Sequence, residues 1–302
     1  MKSESVCAVV VTHNRFTLLL ETIAGLRKQI RSVDNIIVVD NASTDETNEW
    51  LKLQDDLDVI TQENLGGAGG FNSGIKLAIN KKYSWIWVMD DDVVPEPDCL
   101  FELLKAYETS MGIYKVLQPS RYFSEDRSAR WQYGNEINKC NPFKSWCFKK
   151  KNSSVKNSSD VVPIKSFPFE GPIFRHEVIV DVGDVDMSYF ITYDDADYSM
   201  RVLRAGYKVG MVRDALLCKK IGYKQKGLKN DFKLYYSVRN GLIFELKFFP
   251  LWIAITRNFF NALRISAVFI KQGIQNRDLI ESFSAIKVIS KAFFDGIKNN
   301  NS

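Results

Sequence analysis

Acidic residues gather in two places where carboxylates could do work. Asp90-Asp91-Asp92 follows the apolar run Trp85–Met89 and precedes Val93-Val94-Pro95. Three adjacent carboxylates at the end of a buried strand repel one another unless a cation shares the site. Oxygen-only ligands suit Mg²⁺ or Mn²⁺, which bridges a few carboxylates and a diphosphate. A solvated acidic turn is the plainer alternative, and the apolar residues on both sides weigh against it. The second cluster is Asp194-Asp195, with Asp197, after Tyr189-Phe190-Ile191. Neighbouring carboxylates push one another's pKa upward, which suits a general base. The same residues also read as a helix start whose acids favour the dipole.

Other motifs carry less. The segment NLGGAGGFNSG, from Asn64 to Gly74, is read as a glycine-rich loop. It lacks the GxGxxG spacing of a dinucleotide site, and no GxxxxGK[ST] phosphate loop occurs. Its glycines permit a tight turn or a close backbone approach, which a polyanionic ligand could occupy. His13 and His176 are too few and too distant for a histidine metal site, and His176 reads as structural. The five cysteines form no CxxC pair, which excludes a disulfide framework or zinc ribbon and suits a reducing cytoplasm.

The elements that must position these residues alternate. Val6–Val11 and Asn35–Val39 read as buried strands, Val59–Thr61 and Trp85–Met89 as a third and a fourth strand, and helices are expected over Phe16–Arg31, Thr44–Leu53 and Phe71–Lys81. Such alternation implies right-handed crossovers and a mostly parallel, Rossmann-like α/β sheet flanked by helices. Ligands in these sheets sit beyond the carboxyl ends of the strands. Those ends bring Thr12 and His13, Asp40, Asn64 and the three aspartates to one edge. From Pro119 to Val161 the pattern weakens into an irregular polar stretch bearing Trp131, Tyr133 and Trp146. Order returns with FPFEGPIF and a final apolar strand.

Composition bounds the rest. In 302 residues, 45% are hydrophobic and 13% aromatic, so a disordered or fibrous chain is excluded. From Lys219 onward there are 15 Lys/Arg against 5 Asp/Glu, whereas the residues before it carry 26 against 31. A basic tail on a mildly acidic body points to an anionic surface. The tail's LKFFPLWIAITRNFFNALRISAVFI is apolar but interrupted by Arg257 and Arg264, so it is expected to lie in a lipid interface instead of spanning. An amphipathic helix packed on the body is the alternative. The first residues show no signal-peptide pattern, and the Asn-x-Ser matches at Asn41, Asn152 and Asn157 carry no weight. Residues 1–228 are expected to form the catalytic domain, with 119–161 as an acceptor-side insertion and 229–302 as a basic helical region.

The segments VVVTHNR, IIVVDNASTDET, ENLGGAGGFNSGI, WVMDDDVVPEPDCL, YFITYDDADYSMRVLRAGY and YYSVRNGL, in this order, resemble the family 2 glycosyltransferases of the GT-A fold. They span Val6 to Leu242 and look most like the galactofuranosyl- and rhamnosyltransferase branch. The resemblance implies an inverting enzyme that moves a sugar from a UDP- or dTDP-sugar onto a saccharide or lipid-linked saccharide at the cytoplasmic face of the plasma membrane. It places Thr12, His13, Asp40, Asn64, Gly67, Asp90 and Asp91 around the donor, Asp90 and Asp92 on Mg²⁺ or Mn²⁺, Asp195 as base and Asp194 beside it. Tyr236, Arg239 and Asn240 match a recurring element of open role. One place departs from the family: a metal-binding histidine is usual where this chain reads Leu217-Cys218-Lys219-Lys220. Cys218 or water completes the metal's shell there, or Lys219 supplies positive charge directly. A nucleotidyltransferase would need glycines after the first strand, which THNR lacks. A non-catalytic scaffold is the reading if no sugar nucleotide binds, and a nucleic-acid reader is disfavoured because no recognition motif accompanies the basic tail.

Overall fold

A computed structural model describes residues 4–131, 133–149, 161–220, 231–276 and 279–298. The sequons at Asn152 and Asn157, the N-terminal tripeptide and the expected domain boundary at 228/229 lie outside these residues. The β-branched runs form the centre of a ten-stranded mixed sheet. Its strands are β1 Val6–Thr12, β2 Asn35–Asn41, β3 Leu57–Gln62, β4 Trp85–Asp90, β5 Val93–Pro95, β6 Tyr114–Phe123, β7 Asp126–Arg130, β8 Val161–Ile164, β9 Ile173–Arg175 and β10 Lys208–Lys219. The main path runs β8-β10-β6-β9-β4-β1-β2-β3, while β5 pairs with β10 and β7 with β6. Strands β4, β1, β2 and β3 are mutually parallel, as the alternation requires, whereas β9 is antiparallel to both β4 and β6.

Around the sheet lie α1 Phe16–Arg27, α2 Thr47–Leu51, α3 Gly66–Asn80, α4 Cys99–Thr109, α5 His176–Val182 and α6 Asp194–Arg204. Helix α1 buries Leu19, Ile23 and Leu26, one face at helical spacing, into a core with Val6, Ala8, Val10, Trp85 and Trp87. Burial leaves the indole N–H groups needing partners, and Trp87 Nε1 donates to the Gly171 carbonyl at 2.9 Å.

Three expectations change. The stretch 119–161 is partly ordered: β6 runs to Phe123, β7 pairs back on it, and β8 begins at Val161. Polar residues there hid the strands because Gln118, Ser120 and Arg121 are themselves buried in β6. The glycine run is also not a loop. Helix α3 begins at Gly66, five residues earlier than read, so most of its glycines serve packing. A Cβ on Gly70 would lie 2.4 Å from Val11, and one on Gly74 2.4 Å from Val9, so only glycine lets the helix backbone close onto β1. Finally, α2 is one short turn and not the long helix expected over Thr44–Leu53.

The chain divides into two compact units: residues 1–136, 149–190 and 194–225, and residues 137–148, 191–193 and 226–302. The second unit therefore takes segments 137–148 and 191–193 in addition to the C-terminal region. It contains α7 Asp231–Phe248, α8 Leu251–Asn276 and α9 Leu279–Lys298, joined through Leu234, Val238, Phe269, Ala285, Ile289 and Ala292. Arg257 does not face outward as the interfacial reading required. It is 7% exposed, donates to Glu245 at 2.9 Å and to the Asn138 carbonyl at 3.1 Å, and serves the unit's interior. Over Leu251–Gln275, α8 is long and apolar enough to cross a membrane by length and composition, and 28% of that window is buried.

Candidate active site

Parallel register brings the first set of residues level. Thr12 pairs with Asp40, Val11 with Asp90, and Asp40 with Thr61, so the carboxyl ends of β1, β2, β3 and β4 form one rim. Just beyond β1 and β2 the chain turns through Asn14 (φ 51°) and Ala42 (φ 58°), left-handed conformations that let it leave the rim abruptly.

His13 and Asn64 meet at this rim. His13 Nδ1 lies 2.7 Å from the Asn41 carbonyl and its Nε2 3.3 Å from the Asn64 amide. Asn64 Oδ1 also accepts from the Gly66 N–H at 3.0 Å, which links the histidine to the start of α3. Gly67 is half-buried, and a Cβ there would find nothing nearer than Phe71 at 4.0 Å, so it is the glycine with room beside it. Asp40 is fully buried; it accepts from the Ser43 N–H at 2.9 Å and the Asn48 amide at 3.4 Å, and so closes the turn after β2.

The three aspartates divide their work. Asp90 is half-exposed at the rim, with 38% of its side chain accessible. Asp91, expected beside the donor, is instead 2% exposed and braced between Thr12 Oγ1 at 2.8 Å and Arg15 Nη1 at 2.9 Å. Burial drives its pKa up to about 6 against the opposing pull of Arg15. Asp92 is fully buried, paired with the Lys219 ammonium and 3.6 Å from Arg15. Lys219 also reaches Glu170 at 2.8 Å and Asp90 at 3.8 Å, while Glu170 pairs with buried Arg121.

The other half of the site begins α6. Phe190, Thr192 and Tyr193 all have φ between 60° and 68°, a run of left-handed non-glycine residues immediately before the acidic pair. Such strain of about 1–3 kcal/mol per residue persists only where the fold imposes it. Gly66 (φ 71°) lies so close to this turn that a Cβ would stand 2.1 Å from the Phe190 carbonyl, and that carbonyl accepts from Ala68 N at 3.2 Å. Within the second unit, Asn240 donates to the Ile191 and Thr192 carbonyls at 2.8 and 3.1 Å, which gives the Tyr236–Asn240 element a positioning part. Asp194 is buried and Asp195 half-buried, its Oδ1 accepting from Ala196 N at 2.7 Å.

Burial, aided by the charge of Asp90 and opposed by the Ala196 N–H and by Arg121, raises Asp195 to about 6. Asp194 lies well above the usual carboxylate range through burial, then Asp195, and Asp90 also contributes. Asp90 thus lies near enough for its charge to disfavour ionisation of both members of the pair. Asp197 is not part of it, since it is fully buried against Arg201 at 2.7 Å in an i,i+4 pair.

Sequence reasoning missed Arg15, Arg121 and Glu170. Arg15 was visible as the basic residue after Thr12-His13; Arg121 and Glu170 lay in stretches with no motif, and only the sheet brings them to the aspartates. The expected Mg²⁺ or Mn²⁺ fits this arrangement poorly. Among the described residues no group of three or more His, Cys, Asp or Glu is disposed to hold a metal ion. The ammonium of Lys219 lies among Asp90, Asp92 and Glu170, the carboxylates such an ion would need.

A strand-end rim together with an acidic pair of raised pKa offers a carboxylate suited to taking a proton from a hydroxyl. Residues 7–167 match the family description "Glycosyl transferase family 2", and the chain belongs to that family: it is a sugar-nucleotide-dependent glycosyltransferase. Among its relatives, galactofuranosyltransferase GlfT1 of Mycolicibacterium smegmatis is 30% identical over 219 residues, 69% of this chain and 68% of that protein. GlfT1 of Mycobacterium tuberculosis is 28% identical over 227 residues, 70% and 69% of the two chains. The fold matches the crystal structure of GalNAc-T7 with UDP, GalNAc and Mn²⁺ at a TM-score of 0.61 and 13% identity, over 79% of this chain and 48% of that one. It also matches S. aureus TarS 1-349 in complex with UDP at 0.53 and 15% identity, over 79% and 65%.

Proposed function

We propose that this enzyme transfers galactofuranose from UDP-galactofuranose, with inversion, to a hydroxyl of a growing lipid-linked cell-surface polysaccharide. The galactofuranosyltransferases among its relatives support the donor. The observation that carries the chemistry is the acidic pair at the start of α6, Asp194 buried and Asp195 half-buried, with Asp90 near enough for its charge to act on both. Asp195 takes the proton of the acceptor hydroxyl as its oxygen attacks the anomeric carbon. The bond from that carbon to the diphosphate breaks on the opposite face, and one displacement inverts configuration. Asp194, whose ionisation burial disfavours, orients Asp195 and the acceptor. His13, Asn64 and Gly67 border the nucleotide, Thr12 and Asp91 brace the rim, and Asp40 holds the turn beneath it.

The basic C-terminal unit is the proposed contact with the anionic cytoplasmic leaflet. Trp252, Phe259 and Ile274 of α8 are 61%, 49% and 64% exposed, and apolar burial with attraction between Lys/Arg and headgroups would hold such a helix at the interface.

The test is a panel of sugar nucleotides, UDP-galactofuranose and dTDP-rhamnose included, with a lipid-linked acceptor and product stereochemistry read by NMR. Inverted galactofuranosyl product from wild type, with a loss of about 10²–10⁴-fold in Asp195→Asn at retained UDP affinity, is expected. Transfer from dTDP-rhamnose alone would replace the donor, a retained configuration would remove the single displacement, and no donor binding at all would leave a scaffold.

A further inference from the structure

We propose that Lys219 is a built-in counter-charge for the diphosphate leaving group, standing where a divalent ion would otherwise be held between Asp90 and Asp92; this rests on the glycosyltransferase chemistry above. Backbone register, not a wandering side chain, puts the ammonium there. Strand β5 runs antiparallel to the end of β10 and pairs Val93 with Lys219, one residue beyond the aspartate triplet. The next residue closes the arrangement, Lys220 N–H donating to the Asp92 carbonyl at 2.9 Å. Any residue at position 219 is therefore delivered to Asp92.

The surroundings are built for a fixed cation. The Lys219 side chain is 2% exposed and pairs with Asp92, with Glu170 at 2.8 Å and with Asp90 at 3.8 Å. A buried ammonium persists only when carboxylates surround it, and here three do. Arg15 adds a second cation, at 2.9 Å from Asp91 and 3.6 Å from Asp92, and Arg121 a third on Glu170. Four carboxylates thus face three fixed cations, and a divalent ion entering between Asp90 and Asp92 would meet Lys219 at close range and like sign. Asp90 is the most exposed of the four and holds Lys219 at the longest distance, so it is the contact a phosphate oxygen can take over.

In the transfer, the acceptor oxygen bonds to the anomeric carbon and its proton passes to Asp195. The bond from the anomeric carbon to the β-phosphate oxygen breaks, and its electron pair stays on the nucleoside diphosphate. Lys219 faces that new charge with Arg15 beside it, and no co-reactant is needed.

The experiment titrates UDP and dTDP into the full-length protein in excess EDTA and in Mn²⁺, and follows Mn²⁺ uptake by electron paramagnetic resonance. With Lys219 in this role, nucleotide affinity changes less than about threefold between the two conditions and Mn²⁺ stays in solution. In EDTA, Lys219→Met weakens binding by at least about tenfold and Lys219→Arg retains most of it, as expected for loss or preservation of a charge-assisted contact. Stoichiometric Mn²⁺ uptake by wild type, with binding that collapses in EDTA, would overturn the proposal, as would a folded Lys219→Met of unchanged affinity. Should that variant not fold, the wild-type titration and resonance spectrum decide alone. Absence of nucleotide binding in either condition would defeat the sugar-nucleotide reading itself, a result distinct from binding that requires metal.

Discussion

Replacing the glycines of α3 one at a time separates packing from ligand approach. Alanine in a helix interior is favoured over glycine by about 0.8–1 kcal/mol. At Gly70 that gain meets a Cβ placed 2.4 Å from Val11 and 2.9 Å from the Asn41 amide, both on central strands that cannot retreat. Overpacking of this kind costs about 1–3 kcal/mol, so Gly70→Ala should be destabilising by up to about 2 kcal/mol net. Gly66→Ala should be worse: its φ of 71° adds about 1–2 kcal/mol, and the clash is with the Phe190 backbone at 2.1 Å. Gly67→Ala meets only Phe71 at 4.0 Å and should gain some tenths of a kcal/mol, being in the first turn. Urea unfolding with near-UV detection measures all three, and UDP titration is run beside it. If Gly67 borders the nucleotide, Gly67→Ala is the variant that keeps or gains stability while losing affinity. A stabilised Gly70→Ala, or a destabilised Gly67→Ala with unchanged UDP affinity, would refute the assignment of these glycines.

Three further outcomes are expected. Because Asp195 must be ionised to accept a proton and burial raises it to about 6, kcat/KM should fall about tenfold per pH unit below pH 6 and level off above pH 7; a flat profile from pH 5 to 8 would remove it as the base. Glu245, raised to about 7 by burial in spite of Arg257, binds its proton more tightly folded than unfolded, so it contributes less stability as pH rises from about 4.5 through 7. Arg257→Met strands that carboxylate and should be destabilising by about 3–5 kcal/mol at pH 8, with Glu245→Leu added on top recovering most of the loss; unfolding curves for the two variants check this. Trp252→Ser combined with Phe259→Ser should release the protein from liposomes rich in anionic lipid without changing UDP affinity, and undiminished co-sedimentation would defeat the interfacial role of α8.

Local pattern was enough for the parallel half of the sheet. Strands β1, β2 and β4 are continuous apolar runs because both faces are covered, while β3, at the sheet edge, is mixed and partly exposed, and α1 repeats apolar residues at helical spacing. Since parallel strands end on one edge, the sequence alone assigns Thr12, His13, Asp40, Asn64 and Asp90 to a common rim. The aspartate triplet was legible as a site because no apolar strand ends in three carboxylates without some compensating charge.

The source of that charge was legible only as one of three alternatives, Cys218, water or Lys219, at the place where the family usually has a histidine. Arg15 follows the rim residues in sequence, yet its pairing with Asp91 requires α1 to start where it does. Lys219, Glu170 and Arg121 come from three separate stretches, and Arg121 looked like a loop residue because its polarity masks a strand that is buried along its length. Arg257 misled for the same reason: a charge in an apolar helix reads as a surface residue until Glu245 and two carbonyls are found around it.

Chain-local information set the alternation, the strand ends and the acidic residues, since hydrophobic period and steric preference act over a few neighbours. Partnership between charges depends on through-space distance, and in this enzyme 127 positions separate Lys219 from Asp92. Only the antiparallel return of β10 against β5, a long-range pairing that side-chain period cannot specify, decided which cation stands at the aspartates.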